Sequence, residues 1–397
     1  MRTKKVKRKN TMQLNKYIDY TIPLIYIVLT VIGLITILSA TMVSAGQNPN
    51  LDYNPAFFFN SQLRYAVIGS TVFVFMLFFT KSSFYKQTWL QVLMVAGIFV
   101  LLVMIAVMGD EVNGEKNWVR IGFINIQGSE FLKIVAILYL AYIYDLRNKV
   151  HNGLEATDWK HLAPFALMLA FATWILNNDF GTGLIILSII FGMFFYLNFP
   201  RKYTFIIVGT MATVLAIFIL AVIVFDGSFI PAYQLNRIQT FLHPFQDTLG
   251  SGYQLSNSLI AISHGGLFGT GLGNGIMKLG YIPEPQTDFI FAVFAEEFGL
   301  VGVIVVLMLY AFLVYKCFYY STISTDLFLK LITFGIGIYI TIQCFLNVGG
   351  MSRALPLTGV PLPLMSFGGS SFLSISIALA LLSVAAKEIR YRKSLEE

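Results

Sequence analysis

Long apolar runs separated by short polar stretches recur along the whole chain. Runs near the ~20 residues that cross a bilayer cover about 20–43, 61–80, 87–108, 129–145, 162–177, 180–198, 203–225, 287–315, 327–349 and 367–386. The pattern predicts an all-α polytopic bundle of ten membrane helices. The runs at 129–145 and 162–177 are short and carry polar residues, so eight or nine spans is the alternative count. No internal repeat or low-complexity tract divides the chain, which reads as one membrane domain over 1–397 with a basic N-terminal segment (1–19) and a polar tail (387–397).

Three connections are longer than the rest. The first, about 109–128, holds acids, cations and Trp118. The second, 226–287, is too long to be a plain connection, so a functional role is expected. Its Gly265 to Gly275 stretch has six glycines in eleven positions but no following Gly-Lys-Ser/Thr. It is read as turns that let backbone approach a ligand or a neighbouring helix, rather than as a phosphate cradle. The third, about 350–369, carries Pro356, Pro361 and Pro363, which forbid a regular helix, yet it is too apolar for a solvated loop. Non-helical backbone at membrane depth lines a cavity or is buried in protein, so a re-entrant or cavity-lining segment is expected.

Composition agrees with the pattern: 57% of residues are hydrophobic and 12% charged, with mean hydropathy +0.74. Charge placement sets the orientation. With both termini cytoplasmic, 20 of the 27 basic residues lie inside, leaving Arg64, Lys116, Arg120, Lys133, Arg237, Lys278 and Arg353 on the outer side. The basic run from Arg2 to Lys9 is read as a topology signal that touches lipid headgroups, not as a nucleic-acid site. Cys317 and Cys344 fall in predicted spans, and the four histidines form no metal spacing.

The polar residues on the outer side form three sets. One is Lys116, Trp118 and Arg120 with Glu130 and Lys133; a second is Asn177-Asn178-Asp179. The third is Asp288 with Glu284, Gln286, Glu296 and Glu297. Ionisable residues in spans are costly and are paired or used, so buried ion pairs remain the alternative for Glu130, Lys133, Glu296 and Glu297. Asp179 reads equally as a helix cap, and Trp118 as an interfacial anchor. Asp288 is expected one residue inside a helix capped by Thr287, beside the long loop, where a functional role is favoured.

These residues sit in stretches that resemble the SEDS family (shape, elongation, division and sporulation), with its FtsW, RodA and SpoVE branches. The stretches are Lys116-Asn-Trp118 followed by Ile126-Gln-Gly-Ser-Glu130, Asn178-Asp-Phe-Gly-Thr182, Gly252 to Ser258, Tyr281 to Gly299, and Leu355 to Ser371. They occur in the family's order over nearly the whole chain. Gly128 and Asn178 stand where proline is usual, and Gln286 where histidine is. The stretches Gly46 to Tyr53 and Leu279 to Glu284 lean toward the division branch of Gram-positive bacteria.

The resemblance implies a peptidoglycan glycosyltransferase that polymerises lipid II at the outer face of the bacterial cytoplasmic membrane, acting at the division septum or in elongation. It implies Asp288 as catalytic base and a substrate site drawn from Lys116, Trp118, Arg120, Glu130, Asp179, Gln286, Thr287, Arg353, Ser366 and Ser370. It also implies a class B penicillin-binding protein and other divisome or elongasome proteins as partners. It suggests a divalent cation, Mg or Mn, for which the sequence offers no ligand set. A lipid II flippase and a non-enzymatic division scaffold are the alternatives. Outer-side clustering without paired repeats favours surface chemistry over transport.

Overall fold

The structure is a computed structural model, and it describes residues 11–112, 115–121, 124–150, 162–197, 240–245 and 252–396, together with Phe205 and Gly209. The major helices are α1 (Thr21–Gln47), α2 (Phe57–Phe79), α3 (Thr88–Met108), α4 (Gly128–Val150), α5 (Ala163–Asn178), α6 (Phe180–Tyr196), α7 (Tyr253–Gly265), α8 (Ile290–Ile323), α9 (Leu327–Met351) and α10 (Gly369–Glu396). All of these except α7 correspond to predicted spans; the predicted span 203–225 lies outside the described residues apart from Phe205 and Gly209. Six of them, α1, α2, α3, α8, α9 and α10, are long and apolar enough to cross a membrane.

α4 runs well past the predicted end at 145, because Arg147 and Lys149 lie in its last turn, where cations suit the helix dipole. The bundle turns two of its members inward. The most apolar stretches of α9 and α10 are 61% and 72% buried, against 22% for that of α3. α9 packs on α4, α6 and α8, and α10 lies along α2. The outward faces keep exposed Val and Phe, as lipid-facing surface requires.

Two features depart from the sequence expectation. The connection 109–128 is not a plain loop but a three-stranded antiparallel sheet, β1 (Asp110–Val112), β2 (Glu115–Ile121) and β3 (Ile124–Gln127). Alternation along β2 explains it, since Asn117 and Val119 are buried while Arg120 is exposed. α8 is broken at Gly299, whose φ of 63° and ψ of −170° are non-helical.

The break is made by the glycine-rich segment. Thr270 and Gly271 donate their backbone N–H groups to the carbonyls of Glu296 and Glu297 at 3.0 Å, and Leu300 and Val301 donate back to Gly266 and Leu267 at 2.9 and 3.1 Å. Backbone lies directly on backbone here: a Cβ on Gly269 would stand 2.1 Å from the Glu297 carbonyl oxygen. The glycines thus seat the loop against a helix.

Candidate functional site

Asp288 sits in a chain of turns, not in a helix. α8 begins at Ile290, and its cap residue Phe289 makes no side-chain capping bond. The expectation that Thr287 caps the helix is therefore corrected: its hydroxyl donates to the Glu284 carbonyl at 3.2 Å. Pro283 and Pro285 supply the reason, since each fixes φ and lacks an N–H, which favours turns through this stretch.

The turn is clamped from two sides. Asn347 on α9 donates its side-chain amide to the Asp288 carbonyl at 2.9 Å and to the Val360 carbonyl at 2.8 Å. Gln286 is buried, and its carbonyl accepts from the Phe367 N–H at 2.8 Å. Asp288, half-buried, is thereby fixed through its backbone to the proline-rich segment 355–368.

The same segment connects to the first and second polar sets. Gln343, one turn before Asn347, donates to the Pro361 carbonyl at 2.8 Å and accepts from the Lys133 ammonium at 3.0 Å. Lys133 pairs with Glu130 at 2.9 Å, both fully buried, and Glu130 also accepts from Ser374 at 2.7 Å. Asp179 accepts from the Thr182 N–H at 2.9 Å and hydroxyl at 2.6 Å, capping α6, and from the Gln127 amide at 3.3 Å. Burial pushes its carboxyl up, against the downward pull of the Thr182 bonds. The first turn of α6 touches the proline-rich segment, where a Cβ on Gly181 would meet the Thr358 carbonyl at 2.6 Å. Members of all three sets, Glu130 with Lys133, Asp179, and Asp288 with Gln286, thus converge around residues 358–367.

The remaining candidates divide. Trp118 is half-buried and pairs with Gln127 across the sheet, and Arg120 is exposed opposite Asn125. The side chain of Lys116 lies outside the described residues. Ser370 joins the sheet to α10, donating to the Asn125 carbonyl at 2.9 Å and accepting from the Gln127 N–H at 3.1 Å. Ser366 is buried and accepts from the Leu362 N–H at 2.8 Å, shaping the proline-rich turn. Arg353, at φ 58°, donates to the carbonyls of Phe241 and Leu242 at 3.0 and 2.9 Å. Much of its donor capacity therefore ties two loops together.

Glu296 and Glu297 take the structural alternative. Glu297 pairs with Lys278 at 2.5 Å and accepts from Ser39 at 2.6 Å, while Glu296 accepts from the Ile276 N–H at 2.8 Å and contacts His264 at 2.9 Å. Two outer cations that opposed the charge trend, Lys133 and Lys278, are thus explained by buried acids.

Beside Asp179 a cavity of about 360 Å³ is lined by Asn117, Ser129, Trp174, Asn177 and Asn178. Amides beside an indole suit a sugar, which offers hydroxyls at its rim and C–H groups on its face. The Ser129 hydroxyl, the Thr358 hydroxyl and the Asn347 carbonyl oxygen are buried without protein partners. Each such group costs about 1–3 kcal/mol unless water or a ligand satisfies it, so this end of the bundle is more polar than packing requires.

The sequence reading missed Asn347, Gln343, Ser374 and Gln127. Their signal was present: Gln343 and Asn347 are polar residues four apart in an apolar span, hence on one helix face. Among the described residues no group of three or more His, Cys, Asp and Glu side chains converges.

The sequence profile of the FtsW/RodA/SpoVE cell cycle proteins matches residues 20–391. A Bacillus subtilis protein named probable peptidoglycan glycosyltransferase FtsW is 33% identical over 96% of this chain and 93% of its own length. Stage V sporulation protein E of Bacillus subtilis is 34% identical over 94% of this chain and 98% of its own length. Among solved structures, a chain of a peptidoglycan synthase complex matches with TM-score 0.72 and 24% identity over 94% of this chain and 99% of that one. Thermus thermophilus RodA matches with TM-score 0.64 and 22% identity, over 94% of this chain and 97% of that one.

Proposed function

Because the chain belongs to the FtsW/RodA/SpoVE cell cycle protein family, we propose that this multi-pass membrane protein is a peptidoglycan glycosyltransferase that polymerises lipid II, with Asp288 as its catalytic base. The observation that carries the site assignment is the double clamp on the Asp288 turn by Asn347 and by the Gln286–Phe367 link. A general base contributes only when its position is held, and here the backbone beneath the carboxylate is held at both flanks.

In the proposed reaction an acceptor sugar hydroxyl attacks the anomeric carbon of the donor. The new C–O bond forms as the bond to the lipid diphosphate breaks, and the hydroxyl proton passes to the Asp288 carboxylate. Such a base is worth about 10²–10⁴ in rate. Arg120, exposed on β2, and Lys116 are assigned to the departing diphosphate, whose charge develops in the transition state. Arg353 is assigned to positioning the 240–245 segment. The cavity beside Trp174 and Asn178 is assigned to a sugar of the substrate or product.

Both termini are proposed to be cytoplasmic, with Asp288 at the outer face and the septum as the place of action. A class B penicillin-binding protein is proposed as partner, because the solved structure with TM-score 0.72 is a complex that coordinates polymerization and crosslinking. Purified protein in liposomes given labelled lipid II on the outside tests the activity. Polymer supports the enzyme; protected label without polymer would indicate a flippase, and neither would indicate a scaffold.

A further inference from the structure

At the end of the bundle opposite Asp288, the C-terminal turns of α8 and α10 and the segment before α1 enclose an open cavity of about 590 Å³ lined by Tyr17, Asp19, Lys316, Tyr320, Arg390 and Lys393, among others. Its charges do not cancel. Asp19, the acid among the lining residues, is occupied by Lys316 at 2.9 Å and by the Tyr320 hydroxyl. Arg390 donates one N–H to the Ile18 carbonyl at 2.9 Å, a neutral partner that leaves its charge uncompensated. Lys393 is exposed and makes no ion pair among the described residues. Three cations against one acid leave the cavity with a surplus of two positive charges.

The surroundings are those of a bilayer edge. Tyr315 is 57% exposed, Phe312 40% and Tyr319 37%, all on α8, and Met308, Val305 and Ile304 continue the exposed apolar strip toward the middle of the helix. Tyrosines at such a level anchor at the headgroup boundary. A ligand filling the cavity therefore meets cations and phenol hydroxyls at one end and an apolar strip at the other.

We propose that this cavity binds the headgroup of an anionic glycerophospholipid. Arg390 and Lys393 receive the phosphate, the cavity tyrosines face the glycerol oxygens, and the acyl chains lie along Phe312, Met308 and Ile304. Basic pockets at the ends of membrane helices bind acidic headgroups in this way. The site is separate from the proposed reaction and gives the bundle a lipid-dependent brace between α1, α8 and α10.

Native mass spectrometry of the full-length detergent-solubilised protein, titrated with phosphatidylglycerol or phosphatidylcholine, tests it. Each cation near an anionic surface contributes about a fivefold factor, so Arg390→Gln with Lys393→Gln should weaken retention of phosphatidylglycerol roughly 25-fold and leave phosphatidylcholine unchanged. Lys393→Gln alone breaks no ion pair among the described residues and should give roughly a fivefold loss with an unchanged melting temperature, which separates lipid binding from folding. Inorganic phosphate at millimolar concentration should not displace the lipid. Equal retention by wild type and Lys393→Gln would overturn the site, and full displacement by phosphate would make it an anion site without lipid specificity.

Discussion

The two ends of the bundle handle their acids differently. At the end carrying both described termini, Asp19, Asp145 and Asp326 are paired with cations that solvent reaches: Lys316 is 17% exposed, Lys86 21%, Arg392 38% and Lys149 58%. At the end carrying Asp288, the ion pairs Glu130–Lys133 and Glu297–Lys278 are buried to 3% exposure or less. Asp179 there is held by the neutral donors Thr182 and Gln127. Partly exposed pairs are weak and replaceable, whereas buried pairs cannot lose one member cheaply. At the first end these solvent-reached pairs can tolerate sequence change, whereas the buried Glu388 and Lys387 there cannot. The second is fixed by its polar network, and it is also where the orphaned hydroxyls of Ser129 and Thr358 lie.

The largest effect expected follows from that asymmetry. Lys133→Met strands a buried Glu130 and should destabilise the protein by about 3–5 kcal/mol, whereas Lys86→Met should cost under about 1 kcal/mol. Thermal unfolding of both variants in detergent compares them. Similar shifts would erase the distinction between the ends.

Glycine geometry sharpens the comparison next. Gly299 has φ 63°, and a Cβ there would stand 2.3 Å from the Gly269 nitrogen, while Gly97 on α3 has nothing within 4 Å. Gly299→Ala should cost about 1–3 kcal/mol. Gly97→Ala should be neutral or stabilising by roughly 0.5–1 kcal/mol, as a helix-interior glycine replaced by alanine is. The same unfolding measurement reads both, and an equal response at the two positions would show that the loop does not press on α8.

Hydrophobic periodicity made the membrane helices legible, because span length is set by the bilayer and needs no knowledge of partners. The sheet was not legible from it. β2 is too short for its alternation to stand out, although Asn113-Gly114 ahead of it is a dipeptide favoured in hairpin turns. The break at Gly299 depends on a segment some thirty residues earlier pressing on the helix, a contact that no local pattern encodes. At the site, Asp288 and Asp179 were found as single acids at boundaries. Asn347 was missed although its spacing from Gln343 in an apolar span marks it, and which turn it clamps is fixed only once α9 is packed.

Asn347 carries the third prediction. Asn347→Leu removes the donor from the carbonyls of Asp288 and of buried Val360. The turn should then lose about 1–3 kcal/mol of support, and misplacement of the carboxylate by about 1 Å should lower polymerisation roughly 10²-fold. Normal polymerisation by a folded Asn347→Leu protein would dissociate the clamp from the chemistry.

The smallest effect lies at the other end. Burial pushes the Asp19 carboxyl up, but hydrogen bonds from Lys316, Thr21 and Tyr320 outweigh it and hold the group down to about 2. A carboxylate held below its unfolded value stabilises the fold above the ordinary range near 4, and that contribution is lost as pH falls toward about 2. Asp19→Asn should therefore flatten the acid limb of the stability profile between these values and leave pH 7 polymerisation intact. An unchanged acid limb would remove Asp19 from the account.

On the proposed mechanism the clamped turn presents Asp288 as the base of a glycan polymerase. The direct measurement is polymer formation from labelled lipid II by purified wild type and Asp288→Asn reconstituted side by side in liposomes, with insertion and melting temperature matched. Polymer is expected from wild type, with a loss of at least about 10²-fold in the variant, the lower bound of what a general base supplies. A matched Asp288→Asn protein that retains a tenth or more of wild-type polymerisation would contradict it.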